Sequence, residues 1–470
     1  MNDKTGRRPD ASRAGKPIVA KSLAGKQTQN RPNVVRVGVQ VRGRPASAGP
    51  TASAETAIGK IAPARLAAFE ILKLVGEGKG HSDELLHSAR MEALSPEDRH
   101  LTTALVMGVL RWQIALDARV RGLLQRPEQR LAEPVAIALR MGAFQLLHLD
   151  RIPAHAALGE SVELCRAAGE PHATGMVNAV LRKLAAAQRP GTRMFESVAA
   201  FAERLGHPQW LVERWVAAYG RDTALKICEA DQREPVDGGL FDESGGDLPQ
   251  MDDGSRLVAE LAAVAMPGAR RVWDCCAAPG GKTLILARRL VGAEVVATDV
   301  SAKRMKQTEG RLKRYSYAEG VRCGVADATD AKAVEGEFDL ILCDVPCSGT
   351  GTLGGNPEIR HRLKVEDLKR QAQRQREILA GALKRLGRGG RLVYSTCSLE
   401  PEECEQVVDA VLPGAGVRRV PVEGLMGELV AQEILLTGKE MGSAVRDGAL
   451  RTLPGVHGCD GFFGVVLERG

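Results

Sequence analysis

No run of apolar residues in this 470-residue chain approaches the roughly 18 to 20 needed to cross a bilayer, so a membrane-spanning helix is not expected. The opening Met1-Asn2-Asp3-Lys4 has no apolar signal region, which argues against export. None of the ten cysteines forms a C-x-x-C pair, and no cluster has the Cys/His spacing of a zinc site. Most of them lie in apolar runs, where a thiol packs as a small hydrophobe. A cytoplasmic, monomeric protein with no metal is the expectation. Three motifs are also missing. The turn Cys276 to Lys282 lacks the G-x-G-x-x-G of a nicotinamide enzyme. Gly281-Lys282-Thr283 matches the tail of a phosphate loop, but the glycine that loop requires five residues earlier is Cys276. Asp344-Val345-Pro346-Cys347 lacks the Pro-Pro-aromatic on which an adenine amino-methylase stacks its base.

What is present is a 44% apolar chain too long for one core, so more than one domain is expected. Residues 1–60 carry twelve Lys/Arg against three Asp/Glu, a net +9 in a chain of net +7. Such a tail, with almost no aromatics, does not bury enough apolar surface to order itself. It reads either as a non-specific tether to phosphate backbones or as a solvated leader. Residues 62–187 read as helices. Leu101, Leu105, Val109, Trp112 and Leu116 recur every three or four positions, and Ser95-Pro96-Glu97-Asp98 supplies a cap, a first-turn proline and acids for the helix start. Pro134–Leu149 and His155–Ala168 repeat the pattern, and His148, His155 and His172 read as packing or surface residues. A connector with a helix near Pro208–Tyr219 follows, then a loop over 236–255. From about Arg270 strands and helices alternate, with strands expected at Arg271–Cys275, Glu294–Asp299, Val321–Ala326, Phe338–Asp344, Arg391–Thr396 and Phe462–Leu467. Helices are expected between them at Lys282–Leu290, Ala302–Tyr317 and Val365–Leu386. That texture predicts a mostly parallel sheet covered on both faces, its last strand an antiparallel edge.

Ligands of such a sheet sit beyond the carboxyl ends of its strands. Cys276-Ala277-Ala278-Pro279-Gly280-Gly281-Lys282 follows the first strand, where glycines let backbone approach a ligand and a helix begins. Asp299, Asp327 and Asp344 end the next three strands. A carboxylate at Asp299 suits a ribose diol, and one at Asp327 suits an adenine amino group. Together they point to an adenosine-containing cofactor rather than to helix caps. Lys282 reads as a contact to a cofactor carboxylate or to RNA, or as the first residue of a helix. Cys347 and Cys397 each follow a strand, and two thiols facing one pocket suit methylation of a pyrimidine at C5. A thiolate adds to C6, C5 becomes able to attack an activated methyl group, and the C5 proton and the thiol then leave. Asp344, three residues before Cys347, is placed to protonate or hydrogen-bond ring N3. Pro346 takes Cys347 out of the strand ladder, whereas Cys275 and Cys343 read as buried.

Cys276–Lys282, Asp344-Val345-Pro346-Cys347-Ser348-Gly349-Thr350-Gly351 and Thr396-Cys397-Ser398 resemble the signature motifs of the Sun/RsmB family of RNA (cytosine-5)-methyltransferases. Residues 62–187, with Val177-Asn178-Ala179-Val180-Leu181-Arg182, resemble its NusB-like RNA-binding domain. His207–Trp215 is similar to that branch's connector and His457–Phe463 to its closing strand. The resemblance implies an all-α NusB-like domain followed by an α/β Rossmann-like methyltransferase domain with a mostly parallel seven-stranded sheet. The divisions are a basic tail 1–60, a helical domain 61–189, a connector 190–255 and a methyltransferase domain 256–470. It implies S-adenosyl-L-methionine held by Cys276, Ala277, Ala278, Pro279, Gly280, Gly281, Lys282, Asp299, Asp327 and Asp344. It also implies Cys397 as nucleophile, Cys347 for product release, and small-subunit (16S) ribosomal RNA as substrate. The other readings are a non-catalytic NusB-like RNA-binding factor with a silent methylase fold, and a methyltransferase for another RNA. One departure stands out. A small RNA-contacting subdomain usual in the family is reduced to about Val236–Met251, so its docking surface is not carried over.

Overall fold

A computed structural model describes residues 61–187, 196–235, 239–241, 247–330, 332–436 and 439–470. The basic tail and parts of the shortened Val236–Met251 segment lie outside the described residues. The helix over Pro96–Arg121 starts where the residues require: the Asp98 amide donates to Ser95 Oγ at 3.1 Å, and Glu97 and Asp98 sit at the dipole's positive end. It packs with helices Pro63–Gly76, Glu133–His148, Ala154–Ala167 and Thr174–Ala186 around one apolar core that includes Leu105, Val109, Leu116, Ile137 and Leu181. His148 stacks on Phe144, ring centroids 5.2 Å apart, as a packing residue. Among the described residues no helix is long and apolar enough to cross a membrane.

The α/β region holds β1 (Arg271–Asp274), β2 (Glu294–Asp299), β3 (Arg322–Val325), β4 (Phe338–Asp344), β5 (Leu386–Thr396), β6 (Val417–Val420), β7 (Val445–Arg446), β8 (Ala449–Arg451) and β9 (Phe463–Arg469). Their order is β3-β2-β1-β4-β5-β9-β8-β7, with β6 also paired to β9. The first five are parallel, and β9 runs antiparallel to β5. Alternation along the strands splits the core into two layers. Leu340, Leu342, Val393 and Val466 face helices Asp253–Ala265 and Glu423–Ala431. Ile341, Cys343, Leu392, Tyr394 and Val465 face helices Val365–Leu383 and Glu405–Val411.

Four expectations need correction. The sheet has nine strands because a β7–β8 hairpin joins the seven expected. The last strand is not an edge: β5 covers one side, and β6 and β8 share the other, so β9 is buried and apolar. The expected loop over 236–255 leads into a helix at Asp253, capped by Asp252, whose carboxylate accepts from the Gly254 and Ser255 amides. All of that helix but Ser255 is buried, including Arg256 and Glu260, which face each other at 3.5 Å. The helix from Ala302 ends at Leu312, not Tyr317, because the chain turns to pack Tyr315 and Tyr317 beside Leu284 and Leu312.

Candidate active site

Adjacent central strands bring the two cysteines together. Register pairs Asp344 of β4 with Ser395 of β5, and the Val345 amide donates to the Ser395 carbonyl at 3.0 Å. Leaving the sheet side by side, the two loops put Cys347 Sγ 3.1 Å from Cys397 Sγ, both as free, half-buried thiols. The loops are also locked to each other. The Gly351 amide donates to the Cys397 carbonyl at 2.9 Å, and the Gly461 amide donates to the Gly351 carbonyl at 2.8 Å. A Cβ on Gly351 would lie 2.2 Å from the Gly461 carbonyl oxygen, so only glycine fits.

Beside the thiols lies one ion pair. Lys282 Nζ sits 2.7 Å from Asp344 Oδ2 and donates to Ser255 Oγ at 2.7 Å, over the Phe462 ring. Asp344 Oδ1 accepts from Ser395 Oγ at 2.6 Å. Burial disfavours the ammonium, but the Asp344 carboxylate outweighs it, so Lys282 stays above the ordinary lysine value. Cys397 is pushed well above the ordinary thiol range, first by its hydrogen bond with Cys347, then by burial and by the charges of Cys347 and Asp344; Lys282 opposes this. Lys282 is therefore the cation of the site, not merely the start of a helix.

Two cavities meet at Asp344, Cys276 and Ala278. The larger, about 540 Å³, is also lined by Ala277, Pro279, Gly281 and Lys282, and by Asp274. The smaller, about 200 Å³, is lined by Asp299, Asp327 and Arg304. Gly280 shapes the turn from behind: it takes φ 92° at the cap of helix Gly281–Arg289, and a Cβ there would meet Thr308 Cγ2 at 2.8 Å. Asp299 accepts from the Ser301 amide at 2.8 Å and faces Arg304 at 3.2 Å. Asp327 is bonded to the Thr329 amide and hydroxyl, which hold its carboxyl below the usual range. The thiols line neither cavity; Lys282 and Asp344, the charged neighbours of Cys397, line the larger.

Sequence reading passed over Asp274. Its Oδ2 accepts from Thr283 Oγ1 at 2.7 Å, but its Oδ1 is buried with no partner. Burial pushes its pKa up to about 7, with Thr283 opposing and Asp344 adding. An orphaned carboxylate oxygen on the wall of a glycine-edged cavity fits a ligand that brings a cation, such as the ammonium of S-adenosylmethionine. The signal was available, since Asp274 ends β1 as Asp299 ends β2. Nothing in the sequence pointed to Asp83, which reaches the same cavity from the helical half. It is held there because Ser82 bonds Glu358 through both its amide (3.1 Å) and its hydroxyl (2.9 Å). The connector supports the Cys397 loop: Trp215 Nε1 donates to Glu400 Oε1 at 3.0 Å, and the Tyr219 hydroxyl donates to the Leu399 carbonyl at 2.5 Å.

A sheet ordered β3-β2-β1-β4-β5 with an antiparallel strand beside β5, and a glycine turn after β1, defines the Rossmann-like fold of S-adenosylmethionine-dependent methyltransferases. Residues 263–468 match the model of the 16S rRNA methyltransferase RsmB/F family, and residues 62–186 match the NusB family. Ribosomal RNA small subunit methyltransferase B of Xanthomonas campestris pv. campestris is 33% identical, over 89% of this chain and 99% of its own. The protein of that name from Salmonella newport is 31% identical, over 86% and 98%. Among solved structures, PH0851 shares the fold, with a TM-score of 0.65 at 21% identity over 87% of this chain and 99% of its own. The chain belongs to the RsmB/F family of 16S rRNA methyltransferases, with a NusB-family region in front.

Proposed function

We propose that this protein methylates C5 of a cytosine in 16S ribosomal RNA, in the cytoplasm, through a covalent bond between Cys397 and C6. The observation that carries this reading is the 3.1 Å approach of two free thiols beside the Lys282–Asp344 pair. S-adenosylmethionine, when bound, supplies the electrophilic methyl group. The Cys276–Lys282 turn, Asp274 and Asp344 would hold its methionine end, and Asp299 and Asp327 its ribose and adenine.

Cys397 would add to C6 as the thiolate. Its proton is held tightly in the free protein, so the nearby Lys282 cation matters for its release. Asp344 would protonate or hydrogen-bond ring N3, where negative charge builds as the thiolate adds. Cys347 would take the C5 proton and allow the thiol to leave. The flipped base would enter past Lys282 and Asp344. The NusB-family region 61–189 and the basic tail 1–60 would add sequence-independent affinity for RNA, with 190–255 as connector and 256–470 as the catalytic domain.

The test is a pair of variants incubated with donor and undermethylated ribosomal RNA. Cys347→Ala should accumulate a protein–RNA adduct that survives denaturing gels, and Cys397→Ala should form none. The opposite pattern exchanges the two roles. Bisulfite sequencing of ribosomal RNA from cells lacking the gene should show one cytosine losing protection. Full protection throughout would discard 16S RNA as the substrate.

A further inference from the structure

The two thiols lie fifty residues apart in the chain, and one side chain ties the residues that follow them. Glu403 is fully buried. Its Oε1 accepts from the Ser348 amide at 2.9 Å and from Gln375 Nε2 at 3.1 Å. Its Oε2 accepts from Ser398 Oγ at 2.5 Å and from Ser348 Oγ. Ser348 follows Cys347 and Ser398 follows Cys397, and their hydroxyls lie 3.1 Å apart. The same Gln375 amide donates to the Pro346 carbonyl at 3.0 Å, on the other side of Cys347. Glu403 is fixed in turn, because the Tyr394 hydroxyl donates to its carbonyl at 2.7 Å.

Glu403 lies in Glu400-Pro401-Glu402-Glu403, where acids at a helix start are the ordinary reading. The bonds contradict that reading. The carboxylate turns away from its own helix and reaches residues 5, 28 and 55 positions away. A carboxylate has about four acceptor sites, and four donors fill them. A burial this complete is tolerable only with all donors in place.

We infer that Glu403 is a positioning residue that sets the gap between Cys347 and Cys397. It touches neither thiol and lines neither cavity; it acts through Ser348 and Ser398. Its carboxylate holds both loops at one spacing, so that a thiol on C6 and a thiol near C5 can serve one base. This consequence for turnover rests on the cytosine reading, whereas the thiol spacing does not.

The experiment uses the full-length protein and a bifunctional bimane that bridges two nearby thiols, with peptide mapping to separate the Cys347–Cys397 bridge from other pairs. Glu403→Gln puts an amide donor where four donors converge. It should cut the bridge yield about fivefold or more, with donor affinity within about twofold of the native protein. Glu403→Asp, too short to reach both serines, should do the same. Ser348→Ala/Ser398→Ala removes the two hydroxyl donors, spares the carboxylate and should reproduce the effect if Glu403→Gln does not fold. In turnover, kcat for methyl transfer should fall about ten- to a hundredfold while KM for RNA changes less than about threefold. Unchanged bridging in both Glu403→Gln and the double serine variant would overturn the inference, whatever happens to activity. A bridge lost in the variants, beside a native protein that methylates no RNA, would sink the cytosine reading and leave the positioning role standing.

Discussion

The donor side and the thiol side of the site are built in opposite ways. Much of the donor side comes from one short segment: Asp274 to Lys282 contributes the orphaned carboxylate, the left-handed Gly280 and the ammonium within nine residues of chain, to which Asp299, Asp327 and Asp344 add single carboxylates. The thiol side is assembled from four separated stretches. The Cys347 and Cys397 loops, Gln375 and Glu403 meet there, and behind them lie the connector and the 353–362 segment. Local geometry makes the first side, whereas long-range hydrogen bonds hold the second. The thiol side should therefore fail from distant substitutions, and the donor side mainly from substitutions in that turn or at the three strand-end aspartates.

The largest expected effect comes from Arg360. It is buried, and its guanidinium donates to the carbonyls of Arg111, Gly206, Asp231 and Leu353 at 3.1–3.3 Å. It ties the helical half and the connector to the segment after the Cys347 loop, and burial pulls its pKa down to about 10. Arg360→Ala takes a donor from four carbonyls, of which, among the described residues, only that of Arg111 keeps another side-chain donor (Gln232 Nε2), and should cost about 4 kcal/mol in urea unfolding of the full chain. A cost below about 1 kcal/mol would mean that the halves do not depend on this contact. Next is Gly351→Ala, whose methyl has to displace backbone at 2.2 Å. It should cost about 2–3 kcal/mol and reduce Cys347–Cys397 bridging, with donor binding retained.

Asp274→Asn probes the donor side through pH. The folded-state pKa of about 7 lies above that of an unfolded carboxylate, so ionised Asp274 destabilises the fold fully above pH 7. That cost shrinks as pH falls from 7 towards 4. The amide removes it, so in donor-free protein Asp274→Asn should gain about 2 kcal/mol more at pH 8 than at pH 5 in thermal or urea unfolding. An equal gain at both values would remove the unpaired charge from the account. The smallest effect is expected for Lys282→Met, since Ser255 and Asp344 remain. Donor affinity should fall about tenfold, near 1.4 kcal/mol by calorimetry. Loss of bridging in the same variant would show that the two sides are not separable at Lys282.

Much of this was legible along the chain. The helix at Pro96 announced itself through Ser95 and its acids, and strands β1, β2 and β4 through runs that end at an aspartate. Cys347 and Cys397 were readable as a pair because both follow strands. The start of the helix Asp253–Ala265 was not, since Asp252, Asp253, Gly254 and Ser255 are turn-forming residue types. Nor was the interior place of β9, because which strand covers an edge depends on partners far along the chain. Nothing in the sequence singled out Glu403 or Arg360, and only their distant donors and acceptors revealed their roles.

By itself the sequence determined the two kinds of architecture, the turn after β1 and the identity of the two sulfur atoms, because these depend on local spacing and residue type. The tertiary structure alone decided that the sulfurs stand 3.1 Å apart, that Lys282 is Asp344's partner, and that one buried carboxylate spans both loops. Such arrangements depend on hydrogen bonds between residues tens to hundreds of positions apart, and these exist only once the strands have taken their register.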